Sequence, residues 1–373
     1  MIPGPIDPPD EVLRRCGMPV FPHYEGDFPA FYDALVTKMK KIFGLDDGYV
    51  FIPNGSGTTS VNMSVVNLCT TDDDVLVIDN GAFGGYAEKI LNSSGIPYTL
   101  VKGPWRTAIG PECVRKEMKK KHHAVIYMTH NESSTAVLNP IEPIGAIARE
   151  FDALLIVDAV SSVGGTVIDM DRVGADVVAG ASQKCLELPP GIAPVAVGRR
   201  AWECIDKMNE RRVPYILDFN SWKKAFIEMH DYHPQPVTGA TNMLYALDWM
   251  ADQILAEGLK NREERFRRAG ESLKIGMADY GFTMGADPQY ASPVVTEFMT
   301  PEGVDSTDIR KYYYEKHNTM VGAGVAQSES KTKIEYSKTS FRVPHFGRAA
   351  EKERIEHMIT ITQKFMQERK SSI

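Results

Sequence analysis

Two hydrophobic rhythms alternate along this chain. Between about residues 28 and 200, stretches with apolar residues three and four apart trade places with short Val- and Ile-rich runs. In FPAFYDALVTKMKKIFGL, Phe28, Phe31, Leu35 and Met39 fall on one face, which predicts a helix. YVFIP then reads as a short strand, NGSGTT as a turn, and Val61, Val65 and Leu68 as the apolar side of the next helix. DVLVIDN, AVIYMTH, ALLIVDAVSS and DVVAGAS are apolar on both sides, as central parallel strands between two helical layers must be. IEPIGAIAREF separates two of them with Ile141, Ile144, Ile147 and Phe151 at helical spacing. The alternation predicts an α/β fold, with a mostly parallel sheet covered by helices on both faces.

Beyond about residue 240 the pattern changes. MLYALDWMADQILAEGLKNREERFRRAGESLKIGMADYGF reads as one long amphipathic helix, VVTEFMT as a strand, and AEKERIEHMITITQKFMQERK as a second charged helix. Residues 17–256 are therefore expected to form a large domain and 257–373 a smaller α+β domain, with residues 1–16 packing on the small one. The polar stretch from Ala326 to Lys338 reads as a flexible loop.

Composition narrows the classes. A chain of 373 residues with 43% hydrophobic and 24% charged residues suits a soluble globular protein. Its net charge of −7 disfavours nonspecific contact with nucleic acid or anionic membrane, and no apolar run reaches the roughly 18 residues of a membrane span. The first residues lack a signal-peptide pattern, and five scattered cysteines show no zinc or disulfide spacing. A cytoplasmic protein without a metal is expected.

In an open parallel sheet, ligands gather at the C-terminal ends of the strands, so the residues after each strand matter most. After YVFIP come Asn54, Gly55, Ser56, Gly57 and Thr58, opening a helix whose free N–H groups suit a phosphate; a turn without a ligand fits equally well. After DVLVIDN, Phe83 stands between glycines, either as an aromatic plate or as a core residue. After AVIYMTH, the run Asn131–Thr135 includes Ser133 and is either ligand-facing or a capping turn. Asp158 interrupts an otherwise apolar strand, where a carboxylate demands a cationic partner: a bound ligand or a structural ion pair. Lys184 follows the next strand; a lone lysine is usually a solvated surface residue, but the surroundings here look buried. Together these features suit pyridoxal phosphate, with the lysine amine condensing on the aldehyde and the carboxylate pairing with the pyridine nitrogen.

IVDAVSSVGG followed by GADVVAGASQKCLELPPGIA closely resembles the signature of the class V aminotransferases, nearest the alanine–glyoxylate and serine–pyruvate branch. PGPIDPPDEVL, NGSGTTSVNMSVVNL, THNESSTAVLNPI and FRVPHFG extend the resemblance over nearly the whole chain. It implies the fold of type I pyridoxal phosphate transferases. It makes Lys184 the Schiff-base lysine and Asp158 the partner of the pyridine nitrogen. Phe83 stacks on the ring, Ser56, Gly57, Thr58 and Gln183 bind the phosphate, and Ser133 lies near the phenolic oxygen or the substrate. Thr238 in TGATNMLY reaches the phosphate of a neighbouring subunit, which implies a homodimer with interfacial sites, and Arg342 grips the substrate carboxylate. The chain departs from many relatives at Gln235, where they carry tyrosine, and at Val343-Pro344, where they often have Ile-Gly.

The activity so implied moves an amino group from a small amino acid or amine, alanine- or serine-like, to a small 2-oxo acid such as glyoxylate or pyruvate. A 2-aminoethylphosphonate–pyruvate or ureidoglycine–glyoxylate transaminase, or a lyase on the same fold, are the alternatives. A desulfurase is disfavoured because the last cysteine, Cys204, lies too early for a mobile C-terminal nucleophile. A site used only for binding or assembly is the non-enzymatic reading.

Overall fold

The Val- and Ile-rich runs pair side by side in a computed structural model that describes residues 1–24, 26–208, 213–326 and 336–371. The main sheet has seven strands: β1 (Gly48–Phe51), β2 (Val75–Asp79), β3 (Tyr98–Lys102), β4 (Val125–Thr129), β5 (Leu154–Asp158), β6 (Val177–Ala179) and β7 (Val195–Gly198). Their spatial order is β1-β7-β6-β5-β4-β2-β3. The run from β3 to β6 is parallel throughout, whereas β7 is antiparallel to both β6 and β1.

Alternate residues of each strand point to opposite faces, and both faces are buried. Ile126, Met128, Leu155 and Val157 join a core with Phe28, Tyr32, Leu35 and Met39 of the helix Phe28–Phe43. Val75, Val77, Tyr127 and Ile156 join another with Val61 and Val65 of the helix Gly57–Leu68. That two-sided demand is why these runs carry almost no polar residue. Asp158 and Tyr127 are exceptions, and they touch each other.

A second sheet holds β8 (Thr283–Met284), β9 (Val295–Met299), β10 (Gly322–Val325) and β11 (Tyr336–Pro344), all antiparallel in the order β8-β9-β11-β10. It packs Phe298 and Phe341 against Leu273 and Met358 from the helices Leu259–Ala278 and Lys352–Ser371.

Three expectations change. The long helix expected after residue 240 is two, Thr241–Glu257 and Leu259–Ala278, because Gly258 breaks it with φ of +80°. Of the polar stretch Ala326–Lys338, residues 336–338 begin β11, where Ser337 is buried beneath Ser306; residues 327–335 lie outside the described residues. The N-terminal segment also divides its contacts. Met1 packs on the second sheet's core, but Val12 of the helix Asp10–Cys16 is buried in the first core, beside the helix Thr241–Glu257.

Candidate active site

Because β2, β4, β5 and β6 are neighbours and parallel, the turns leaving their C-terminal ends meet at one edge of the sheet. A cavity of about 180 Å³ opens there, lined by Ser56, Gly57, Thr58, Phe83, Asp158, Gln183 and Lys184 together with Val61, Tyr86, Ile90 and Val160. The structure thus brings seven of the expected residues to one hollow.

One wall is the start of the helix Gly57–Leu68. Its entry turn is fixed by a two-residue ladder between Asn54–Gly55 and Gly191–Ile192, and the Ser56 N–H donates to the Thr59 hydroxyl at 3.2 Å. Gly57 is needed for close approach, since a Cβ there would lie 2.6 Å from the Val160 methyls. The same ladder ties this turn to the lysine loop. Ser182 donates its hydroxyl to the Pro189 carbonyl at 2.8 Å, and its N–H to the Ile192 carbonyl at 3.1 Å. The Pro-Pro-Gly segment is therefore folded back against the lysine turn.

Asp158 ends β5. Its carboxylate accepts from the Val160 N–H at 3.0 Å and from the Tyr127 hydroxyl at 3.2 Å, both neutral donors. Burial pushes its pKa up to about 6, against the pull of those two bonds and of Lys184. Lys184 donates to the Pro3 carbonyl of the N-terminal segment, and Gly4 covers its side chain so closely that a Cβ would sit 2.5 Å from Nζ. Burial pushes the lysine pKa down to about 8, helped by Arg342. Among the described residues neither Asp158 nor Lys184 is in an ion pair, which leaves both groups available to a ligand. The Gln183 Oε1 is also buried, with no hydrogen-bond partner among the described residues. These groups fit a molecule with an anionic end at the helix start and a basic ring nitrogen at Asp158.

The aromatic wall is held by a residue the sequence did not single out. Glu132 is fully buried and accepts from the Phe83 and Gly84 N–H groups at 2.9 and 3.1 Å, and from the Ser134 N–H at 3.0 Å. Burial pushes its pKa up to about 6. Phe83 stacks on Tyr86 with centroids 5.8 Å apart.

Ser133 and Arg342 lie outside that cavity lining but adjoin each other. The Arg342 guanidinium donates to the Ser133 carbonyl at 2.8 Å and, from Nε, to the Ala323 carbonyl at 2.8 Å. Ser133 is buried, its hydroxyl 3.4 Å from that of Ser161. Thr238 is exposed and does not line the cavity of its own chain; its carbonyl accepts from the Asn54 side chain at 2.7 Å. Gln235 is wholly buried, so it does not reach outward as a surface tyrosine would.

The clamp on the lysine loop was also invisible in the sequence. Glu187 has a left-handed backbone, φ +56°, and pairs with Arg262; both are buried. Arg262 also donates to the Gly164 carbonyl at 2.7 Å and the Cys185 carbonyl at 3.3 Å. One guanidinium thus joins the loop after β5 to the loop after β6. No local signal marks Arg262, which sits in a helix of many charged residues.

The family model for class V aminotransferases matches residues 22–358. The chain belongs to that family. An uncharacterized aminotransferase of Methanocaldococcus jannaschii is 34% identical over 95% of this chain and 89% of its own length. The serine–glyoxylate aminotransferase of Hyphomicrobium methylovorum is 31% identical, covering 93% of this chain and 84% of its own. The crystal structure of the ureidoglycine–glyoxylate aminotransferase of Bacillus subtilis superposes with a TM-score of 0.92 at 26% identity, over 99% of this chain and 92% of that one. This class V chain is an aminotransferase with the α/β fold of its relatives, and no helix among its described residues is long and apolar enough to cross a membrane.

Proposed function

We propose that this class V aminotransferase uses pyridoxal phosphate to move an amino group from a small neutral amino acid to a small 2-oxo acid. The observation that carries the reading is that Asp158 and Lys184 line one cavity, and among the described residues neither is in an ion pair. Bound pyridoxal phosphate supplies an aldehyde that condenses with amines and a protonated ring that withdraws electrons from the α-carbon.

Each residue has a physical task in this reading. The N–H groups at the start of the helix Gly57–Leu68, with the Ser56 and Thr58 hydroxyls and Gln183, bind the phosphate. Phe83, on the cavity wall, would stack on the ring. Asp158 would hold the proton on the ring nitrogen, and that charge beside it would pull its raised pKa, about 6, back down. Lys184, depressed to about 8, has a useful neutral fraction near pH 7.5 and carries the proton off the substrate α-carbon. Ser133 lies near the ring's phenolic oxygen or the substrate. Arg342 takes the substrate carboxylate in a two-point grip. Arg106 is already paired with Glu297 and so offers no free cation to an acidic side chain, which favours donors with a neutral side chain.

Thr238 belongs to a second subunit's site in this reading. It is exposed, yet tied to the turn that opens the phosphate-binding helix, as a residue reaching across a homodimer interface would be. A domain boundary near Gly258, where the long helix breaks, and a cytoplasmic location complete the reading.

A panel of amino donors against 2-oxo acids tests it. Alanine or serine with glyoxylate or pyruvate is expected to exchange amino groups, each half-reaction visible as loss and return of the aldehyde form's absorbance. Release of ammonia and a 2-oxo acid from the donor with no acceptor present would instead make the enzyme a lyase.

A further inference from the structure

Arg342 and Glu297 stand directly opposite each other on β11 and β9, so their side chains leave the same face of the sheet. Glu297 is completely buried. A buried carboxylate needs a cation, and directly opposite registry puts Arg342 within easy reach. Yet among the described residues Arg342 hydrogen-bonds only two carbonyls, those of Ala323 and Ser133. The cation that Glu297 has instead comes from the other sheet's side of the molecule. Arg106 follows β3, and donates to both carboxylate oxygens at 2.8 and 2.9 Å.

Arg106 is held for that purpose. Its backbone is left-handed, φ +71°, and its carbonyl accepts from the Asp287 N–H at 2.8 Å. The adjacent Thr107 hydroxyl donates to the Asp287 carboxylate at 3.1 Å. Gly285 leaves the room the pair occupies, since a Cβ there would lie 2.8 Å from Glu297 Oε2 and 3.1 Å from Arg106 Nε. The fork-to-fork pair is the strong form of the interaction, so Glu297 has little left to offer a second guanidinium.

We infer that Arg106 is a positioning residue for substrate carboxylates, occupying Glu297 so that Arg342 keeps its guanidinium free to bind them. The inference rests on the reading of Arg342 as the carboxylate grip. Without Arg106, the stranded carboxylate of Glu297 turns to Arg342, and substrate has to compete with a carboxylate built into the protein.

The test is a set of steady-state measurements on the cofactor-loaded enzyme with alanine and glyoxylate. Arg106→Gln is expected to raise KM for both substrates about 10- to 100-fold, the worth of a charge-assisted contact, while kcat changes little. The double variant Arg106→Gln/Glu297→Gln, which removes the competitor as well, is expected to return both KM values to near the parent's. An unchanged KM in Arg106→Gln, or a raised KM that the second substitution does not rescue, would overturn the inference. If Arg106→Gln does not fold, Arg106→Lys, which loses the two-point contact but keeps the charge, takes its place: a smaller rise in KM that Glu297→Gln rescues supports the inference, and no rise defeats it. Arg342→Ala separates the two levels of the argument. A KM unaffected by Arg342→Ala ends the carboxylate reading itself, whereas a raised KM there with none in Arg106→Gln ends only the role of Arg106.

Discussion

The Asp158–Lys184 end of the site and the Arg342 end are built in contrasting ways. Around Asp158 and Lys184, most of the wall is short turns leaving strands of the main sheet, with Pro3 and Gly4 of the N-terminal segment against the lysine, and among the described residues neither charged group is in an ion pair. Around Arg342, the groups come from two sheets, and the acid beside it is already neutralised by Arg106. The difference separates two uses of buried charge. On the proposed reading, an unpaired charge at Asp158 is the binding feature at one end, and a paired one at Glu297 protects the carboxylate grip at the other. Burial makes both costly, and the cost falls on different partners.

Breaking the lysine loop's support should give the largest change. Arg262→Met leaves Glu187 buried and unpaired, and is expected to lower unfolding free energy by about 3–5 kcal/mol. Denaturant titration measures it, and a loss under about 1 kcal/mol would show that the clamp is dispensable. Asp158→Asn sharpens the contrast more directly. Turnover is expected to fall about 10²- to 10³-fold, the scale of a lost preorganised charge. Stability of the cofactor-free chain should move the other way. The folded-state pKa of Asp158 is raised to about 6, so ionisation costs stability as pH climbs from about 4 to about 6. The amide escapes that cost, so the variant should match the parent near pH 4 and exceed it by on the order of 2 kcal/mol at pH 7. Thermal unfolding across that range checks it, and a variant less stable than the parent at pH 7 would refute the account of Asp158 as an unsatisfied charge. Tyr127→Phe should have the smallest effect, about 1 kcal/mol, seen as a small upward shift of the Asp158 titration because one donor to the carboxylate is gone.

The same contrast governs what the sequence discloses. The strand that ends in Asp158 and the strand that precedes Lys184 are apolar on both faces, so these polar residues stand out without any partner being known. The ladder of turns after them then follows from parallel topology. The edge strand Tyr98–Lys102 is half-exposed and lacks that apolar signature, so it escapes notice. Arg106, Glu297, Glu187 and Arg262 escape for another reason. Each is an ordinary charged residue in its own segment and acquires meaning only from a partner 75 or 191 positions away. Glu132 was visible as one of a polar run, but its hold on the Phe83 turn depends on β2 and β4 being neighbours. Gly258 was a legible signal, yet helical periodicity on either side of it outweighed one glycine.

The central claim is that the amine of Lys184 is the covalent attachment point of the cofactor. Purified protein given pyridoxal phosphate, reduced with borohydride and digested, locates that attachment by peptide mass. A phosphopyridoxyl group on Lys184, formed with loss of the visible-edge absorbance, is the expected result. An adduct on a different lysine, or none above the level found for an unrelated protein, would contradict it.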